Sequence, residues 1–130
     1  MNLLFIMDNY NLCIQVIAMP CNTNANGDIF GGWLMSQMDL AGSVECKRNC
    51  PGRYVTVTVD KMVFSKPVKV GDLLSIYCKI KTIGNSSITI DILAKIKKSL
   101  TNEIIDVTQG IFKYVYIDEN NKPKSIINNI

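Results

Sequence analysis

Only one stretch of this chain carries a clear helical pattern, and a polar, glycine-bearing loop feeds directly into it. It reads Asn24-Ala25-Asn26-Gly27-Asp28-Ile29-Phe30-Gly31-Gly32-Trp33-Leu34-Met35-Ser36-Gln37-Met38-Asp39-Leu40-Ala41-Gly42. The first half is built from Asn, Gly and Asp, residue types that tolerate left-handed backbone and tight turns. The second half predicts a helix from about Gly32 to Arg48. Leu34, Met38, Ala41 and Cys46 form an apolar stripe at helical spacing. Trp33, Met35 and Leu40 make the other faces apolar too, which is the mark of a helix buried on most sides. Lys47 and Arg48 suit its C-terminal dipole, and Cys50-Pro51-Gly52 ends it.

Around that helix the chain reads as strands. Leu12–Ala18 is a β-rich apolar run closed by Met19-Pro20. Arg53–Phe64 alternates Val55, Val57 and Val59 with Thr56, Thr58 and Asp60, a period of two. After the breakers Pro67 and Gly71-Asp72 come Leu73–Ile83, Ile88–Lys98 and Ile104–Asp118, separated by turns at Gly84-Asn85-Ser86-Ser87 and Ser99–Glu103. Gly110 suggests a bend or bulge in the last strand. The expected architecture is α+β: one long central helix wrapped by a curved antiparallel sheet of about five strands, most of them joined as consecutive hairpins. A single sheet covers part of such a helix and leaves an edge open, and pairing two copies edge to edge addresses both. The expected division is an N-terminal segment 1–11, one domain 12–118 and a polar tail 119–130, Asn-rich and expected to fray.

The absence of histidine excludes most familiar hydrolytic chemistry. Ser-His-Asp and Cys-His nucleophiles, histidine-bound metals and histidine bases are all ruled out. Chemistry here must run on carboxylates, amides, hydroxyls, lysines and backbone dipoles. The five cysteines are an odd number, read as reduced thiols in a cytoplasm. Cys46-x3-Cys50 has no second pair to complete a metal site, so no metal is expected. Leu3–Met7 is apolar but short, with no basic residue before it and Asp8 behind it, unlike a signal peptide. All 14 basic residues lie from Lys47 onward, yet spread singly along strands, without the dense basic run or aromatic ladder of a nucleic-acid module.

Two features remain to be explained. Gly31-Gly32 opens the helix where first-turn amides lack intrahelical acceptors, so a ligand can approach the backbone there; a tight turn also accounts for two glycines. Asp39 follows Gly32 by seven residues, on the same side of the helix, between Met38 and Leu40. A carboxylate in that setting is a functional candidate or an interface ion-pair partner.

The stretch from Pro20 through Thr23-Asn24-Ala25-Asn26-Gly27-Asp28-Ile29-Phe30-Gly31-Gly32-Trp33-Leu34-Met35-Ser36-Gln37-Met38-Asp39 closely resembles the hotdog-fold acyl-CoA thioesterases of the YciA type. The resemblance continues through Val55-Thr56-Val57, Met62-x-Phe64-x-x-Pro67-Val68-x-Val70-Gly71-Asp72, Gly84-x-Ser86-Ser87, Lys97-Lys98 and Phe112-x-Tyr114-Val115, over roughly residues 12–125. It implies hydrolysis of acyl-CoA to CoA and a carboxylic acid. It also implies a homodimer with active sites at the subunit interface, commonly assembled as a trimer of dimers, with no cofactor beyond the CoA of the substrate. Asp39 then stands at the catalytic carboxylate, Asn24 at an asparagine implicated in related enzymes, and Gly32 at the amide that binds the thioester oxygen. Asn24 is equally readable as a loop asparagine bonding its own backbone.

For the rest of the substrate, Gly31 and Thr56 are candidates near the reacting centre. Gly84, Asn85, Ser86 and Ser87 offer amides and hydroxyls to phosphate, with Arg53, Lys97 and Lys98 as charge partners. A plain hairpin turn explains the first four nearly as well. Phe30, Met35 and Met38 are adaptable linings for an acyl chain or ordinary core. Asn85 stands where the family commonly carries a basic residue. The competing reading is an acyl-CoA-binding module without catalysis. A hotdog dehydratase needs the histidine this chain lacks.

Overall fold

The computed structural model describes residues 9–127; the apolar run Leu3–Met7 lies outside them. The elements in order are β1 (Asn11–Ile17), a 3-10 turn (Pro20–Asn22), α1 (Gly31–Asn49), β2 (Arg53–Phe64), β3 (Leu73–Ile83), β4 (Ser87–Lys97) and β5 (Ile104–Ile117). The five strands form one antiparallel sheet in the order β1-β3-β4-β5-β2, with α1 packed on one face.

The alternation in β4 shows why the sheet takes the helix on that face. Ile88, Ile90, Ile92, Ala94 and Ile96 are all buried in one core with Leu34, Met38, Ala41 and Cys46 of α1 and Phe112, Tyr114 and Tyr116 of β5. Each fully buried Ile contributes roughly 1.5–3 kcal/mol of apolar transfer. Burial of the helix is one-sided: Leu40 is 56% exposed, and so is 54% of Phe30 just before it. Its apolar outer face therefore has no cover among the described residues. Among the described residues, no helix is long and apolar enough to cross a membrane.

Only β3, β4 and β5 follow as consecutive hairpins. β2 leaves them and pairs with β5 at the far edge, Arg53 opposite Ile117 and Phe64 opposite Thr108. Residues 65–72 must therefore cross back over about three strand spacings, roughly 14 Å, to reach β3. That crossover is tied down by Ser65 N donating to Val107 O at 2.8 Å and Ile29 N donating to Val68 O at 3.0 Å. It closes the end of the sheet beside the start of α1. The expected irregularity at Gly110 belongs to β2: Gly110 pairs regularly with Ile92, while β2 shifts register between Asp60 and Val63 opposite it. A side chain at Gly110 would meet the sulfur of Met62 at 2.9 Å.

The C-terminal segment is not frayed through Ile127. Lys124 N donates to Tyr116 O at 2.9 Å, Ile126 N donates to Asn85 O at 2.7 Å, and the Ile126 side chain is fully buried. One apolar residue, placed over the β3–β4 turn, anchors an otherwise polar stretch.

Candidate active site

Asp39 lies in the third turn of α1, where the helix crosses β2 and β5. Thr56 Oγ1 donates to its Oδ1 at 2.6 Å, and the phenol of Tyr114 donates to its main-chain oxygen at 2.8 Å. Thr56 and Tyr114 are direct cross-strand partners. A single rung of the sheet thus engages both the side chain and the backbone of the candidate acid. Burial, then the nearby Asp39 charge, push the Tyr114 phenol far above its ordinary pKa, so it stays a donor at any working pH.

The loop before α1 is built by Asn24. Its Oδ1 accepts from Asn26 N at 2.9 Å and from Asp28 N at 3.2 Å, and its own N–H donates to Asp28 O at 2.7 Å. Gly27, at φ +82°, lets the chain turn within that bracket. The side-chain oxygen of Asn24 is therefore committed to the loop. Lys69 forms an ion pair with Asp28 from the crossover. Together these groups hold the entry to α1, whose first helical bond runs from Leu34 N to Phe30 O at 3.2 Å.

The amides of Gly31 and Gly32 belong to the unpaired first turn of the helix. A Cβ at Gly32 would stand 2.6 Å from the Phe30 ring, while one at Gly31 would only touch Phe64 at 3.8 Å. Beside Gly31 opens a cavity of about 300 Å³, reached by Asn24 and walled by Ile29, Leu34, Phe64, Pro67 and Val68. Phe64, Leu34 and the crossover line this cavity, and not the Phe30, Met35 and Met38 expected as linings for an acyl chain. Met38 lies fully buried in the core instead.

Gly32 and Asp39 share a helix face but are not adjacent. Seven residues span roughly 10 Å of axis. Helix amides point toward the N-terminus, so an oxygen bound at Gly32 lies about 3 Å further away. A carboxylate and one water do not bridge about 13 Å to an acyl carbon that must be attacked from ~3–3.5 Å.

The residues expected to meet CoA divide between two ends of the sheet. Gly84–Ser87 form the β3–β4 turn, closed by Gly84 N donating to Ser87 O at 2.8 Å. The C-terminal segment engages this turn, with Ser125 Oγ donating to Asn85 Oδ1 at 3.1 Å. Arg53 sits at the same end, donating to Asp118 O at 3.4 Å and Asn121 Oδ1 at 2.9 Å. Register places Ile88 opposite Tyr114 and Tyr114 opposite Thr56, so this end also carries Asp39. Lys97 and Lys98 are at the other end of β4, about 33 Å away. Lys98 faces buried Asp72 at 3.9 Å. Within one chain the two groups do not form one site.

The thiols stand apart from Asp39. Cys46 is fully buried, and burial followed by the Glu45 charge pushes it up to about 12. Cys13 is lowered by its hydrogen bond with Cys78 and by Arg48, against burial and Glu45. Among the described residues no group of three or more His, Cys, Asp or Glu side chains is arranged to hold a metal ion. Sequence reasoning did not single out Tyr114 for Asp39. The available signal was its place in the alternation, on the same face as Phe112 and Tyr116.

Comparison with known proteins gives the family and the fold. Residues 26–102 match the family model of the thioesterase superfamily. The acyl-CoA thioester hydrolase YciA of Escherichia coli (strain K12) is 44% identical over 119 residues, covering 89% of this chain and 90% of its own. The crystal structure of a hexameric thioesterase from Yersinia pestis superposes with a TM-score of 0.86 at 47% identity, covering 90% of this chain and 96% of its own. A hexameric broad-specificity acyl-coenzyme A thioesterase, crystallised with an aspartate replaced by alanine, gives 0.86 at 42% identity, covering 89% and 86%. A chain with this helix-on-sheet fold, this loop–helix block and these relatives belongs to the thioesterase superfamily, among the acyl-CoA thioester hydrolases of the YciA type.

Proposed function

We propose that this protein hydrolyses acyl-CoA thioesters to CoA and a carboxylic acid, with Asp39 as the reacting carboxylate. The observation that carries the reading is the Asp39 carboxylate itself, half-buried on the central helix with Oδ1 occupied by Thr56. Oδ2 is then the atom that takes a proton from water or attacks the acyl carbon. By the first route water adds to the carbonyl as its proton passes to Asp39. By the second, Asp39 forms a mixed anhydride that water then opens. In both, the C–S bond breaks and the thiolate leaves as CoA and is protonated. The oxyanion forms at the Gly32 amide, where one fixed donor is worth about 3 kcal/mol.

The separation of Gly32 from Asp39 along one helix makes each site a product of two copies, the amide from one and the carboxylate from its partner. The open edge of β2, with Val55, Val57, Val63 and Phe64 exposed, is the surface on which the copies meet. Assembly of three such dimers into a hexamer follows the solved relatives. The phosphates of CoA go to Arg53 and the Gly84–Ser87 turn, at the Asp39 end, with Lys97 and Lys98 contributing from another copy. The reaction needs no cofactor beyond its substrate, and reduced thiols fit a cytoplasmic setting.

The test is thiol release by the purified protein over short, medium and long acyl-CoAs, beside Asp39→Asn and Asp39→Ala. Native turnover should fall by about 10²–10⁴-fold in both variants while they remain folded. Saturable CoA binding without turnover of any acyl-CoA would leave a binding module instead. Multiple turnover in ¹⁸O-water followed by mass spectrometry tests the anhydride opened at the Asp39 carbonyl, since only that route labels Asp39.

A further inference from the structure

We propose that Tyr114 is a positioning residue for Asp39, holding the acid at its working place through the main-chain oxygen. This rests on the reading of Asp39 as the reacting carboxylate. The phenol is fully buried and reaches into the helix to donate to the Asp39 carbonyl at 2.8 Å. Space for it comes from Gly42, one turn further along α1: a Cβ there would stand 2.0 Å from the phenol oxygen. A carbonyl has two lone pairs, so it serves Tyr114 as well as the helical N–H four residues on.

The contact fixes more than helix stability. Thr56 holds the Asp39 side chain and Tyr114 holds its backbone, and the two are partners in one rung of the sheet. The acid is referenced twice to one rigid support, which limits both sliding of α1 along its axis and its rotation. Displacement of a reacting group by about 1 Å can cost on the order of 10²-fold in rate. The sheet supplies its own comparison. Tyr116, two residues on and facing the same way, is 4% exposed and donates to Pro51 O at 3.1 Å, at the other end of the helix from Gly32. Its phenol makes a similar buried bond, to a residue beyond the end of α1.

The experiment compares the full chain with Tyr114→Phe, Tyr116→Phe, Asp39→Asn and the double variant Asp39→Asn/Tyr114→Phe, with acetyl-CoA and a longer acyl-CoA as substrates. Tyr114→Phe should lower kcat by about 10- to 100-fold with KM held within about twofold. Tyr116→Phe should keep kcat within about twofold while losing a similar amount of thermal stability. On the Asp39→Asn background Tyr114→Phe should cost nothing further, because the phenol acts only through that residue. Equal kcat in the two tyrosine variants, or a further loss in the double variant, overturns the positioning role and leaves Asp39 standing. Full activity of Asp39→Asn overturns both readings. If Tyr114→Phe melts far below Tyr116→Phe, the double variant's residual rate still decides, since it compares two chains carrying the same lesion.

Discussion

Glu45 is a charged side chain buried outside the candidate site. It is 2% exposed, and Asn11 Nδ2 donates to both carboxylate oxygens at 3.0 Å, with the Cys13 thiol 3.9 Å from Oε2. A buried carboxylate that loses its donors carries the full desolvation cost. Asn11→Ala should therefore destabilise the fold by about 1–3 kcal/mol in urea unfolding. Adding Glu45→Leu should recover most of that, since an apolar residue at a buried ionic position is often neutral or better. A single variant as stable as the native chain would show the carboxylate hydrated by some other path. The sequence held the signal for this burial: Glu45 follows Ala41 by four, continuing the spacing of Leu34, Met38 and Ala41. Its charge places it naturally with Lys47 and Arg48 at the solvated end, and nothing local reveals Asn11, 34 positions away, as its partner. Tyr114 was hidden for the same reason: its contact is 75 residues distant in sequence.

At the scale of elements, the spans were legible because they rest on local periodicity. β3 runs Leu73–Ile83 and β2 Arg53–Phe64, as the alternation and the breakers predict, and α1 exceeds its expected span by one residue at each end. The pairing of β2 with β5 was not legible, because hairpin reasoning favours neighbours in sequence. The deciding feature is the crossover, whose Val68 inserts into the core beside Ile29. The C-terminal segment was misjudged through composition: its Asn, Lys and Pro read as a solvated tail, and one buried isoleucine reverses that. Ile126→Ala should cost about 2–5 kcal/mol, the usual range for emptying a core site of this size. The loss should be visible as a lower urea midpoint and as faster proteolysis after residue 118. A cost below about 0.5 kcal/mol, the level of ordinary surface changes, would return the segment to the status of a tail.

At the scale of the whole molecule, the described residues of a single chain leave three things unfinished together: the β2 edge, the outer face of α1 around Leu40, and a carboxylate too far from its oxyanion donor. One arrangement completes all three, a dimer whose sites are shared across the interface. That can be tested by complementation. Asp39→Asn removes the acid and keeps the amide. Gly32→Pro removes the amide and keeps the acid, and proline is tolerated in the first turn of a helix, where its missing N–H breaks no helical bond. The Cβ of the new residue meets the exposed Phe30 ring, which must move to admit it. Each variant alone should be nearly inactive. After co-refolding at equal amounts, half of the dimers are mixed and one of their two sites is intact, so about a quarter of native activity should return. Sites built from one chain would give no recovery, because every chain in the mixture carries one of the two lesions. Recovery well above a quarter would mean that the Gly32 amide is dispensable, and the oxyanion would then have to be held by another donor.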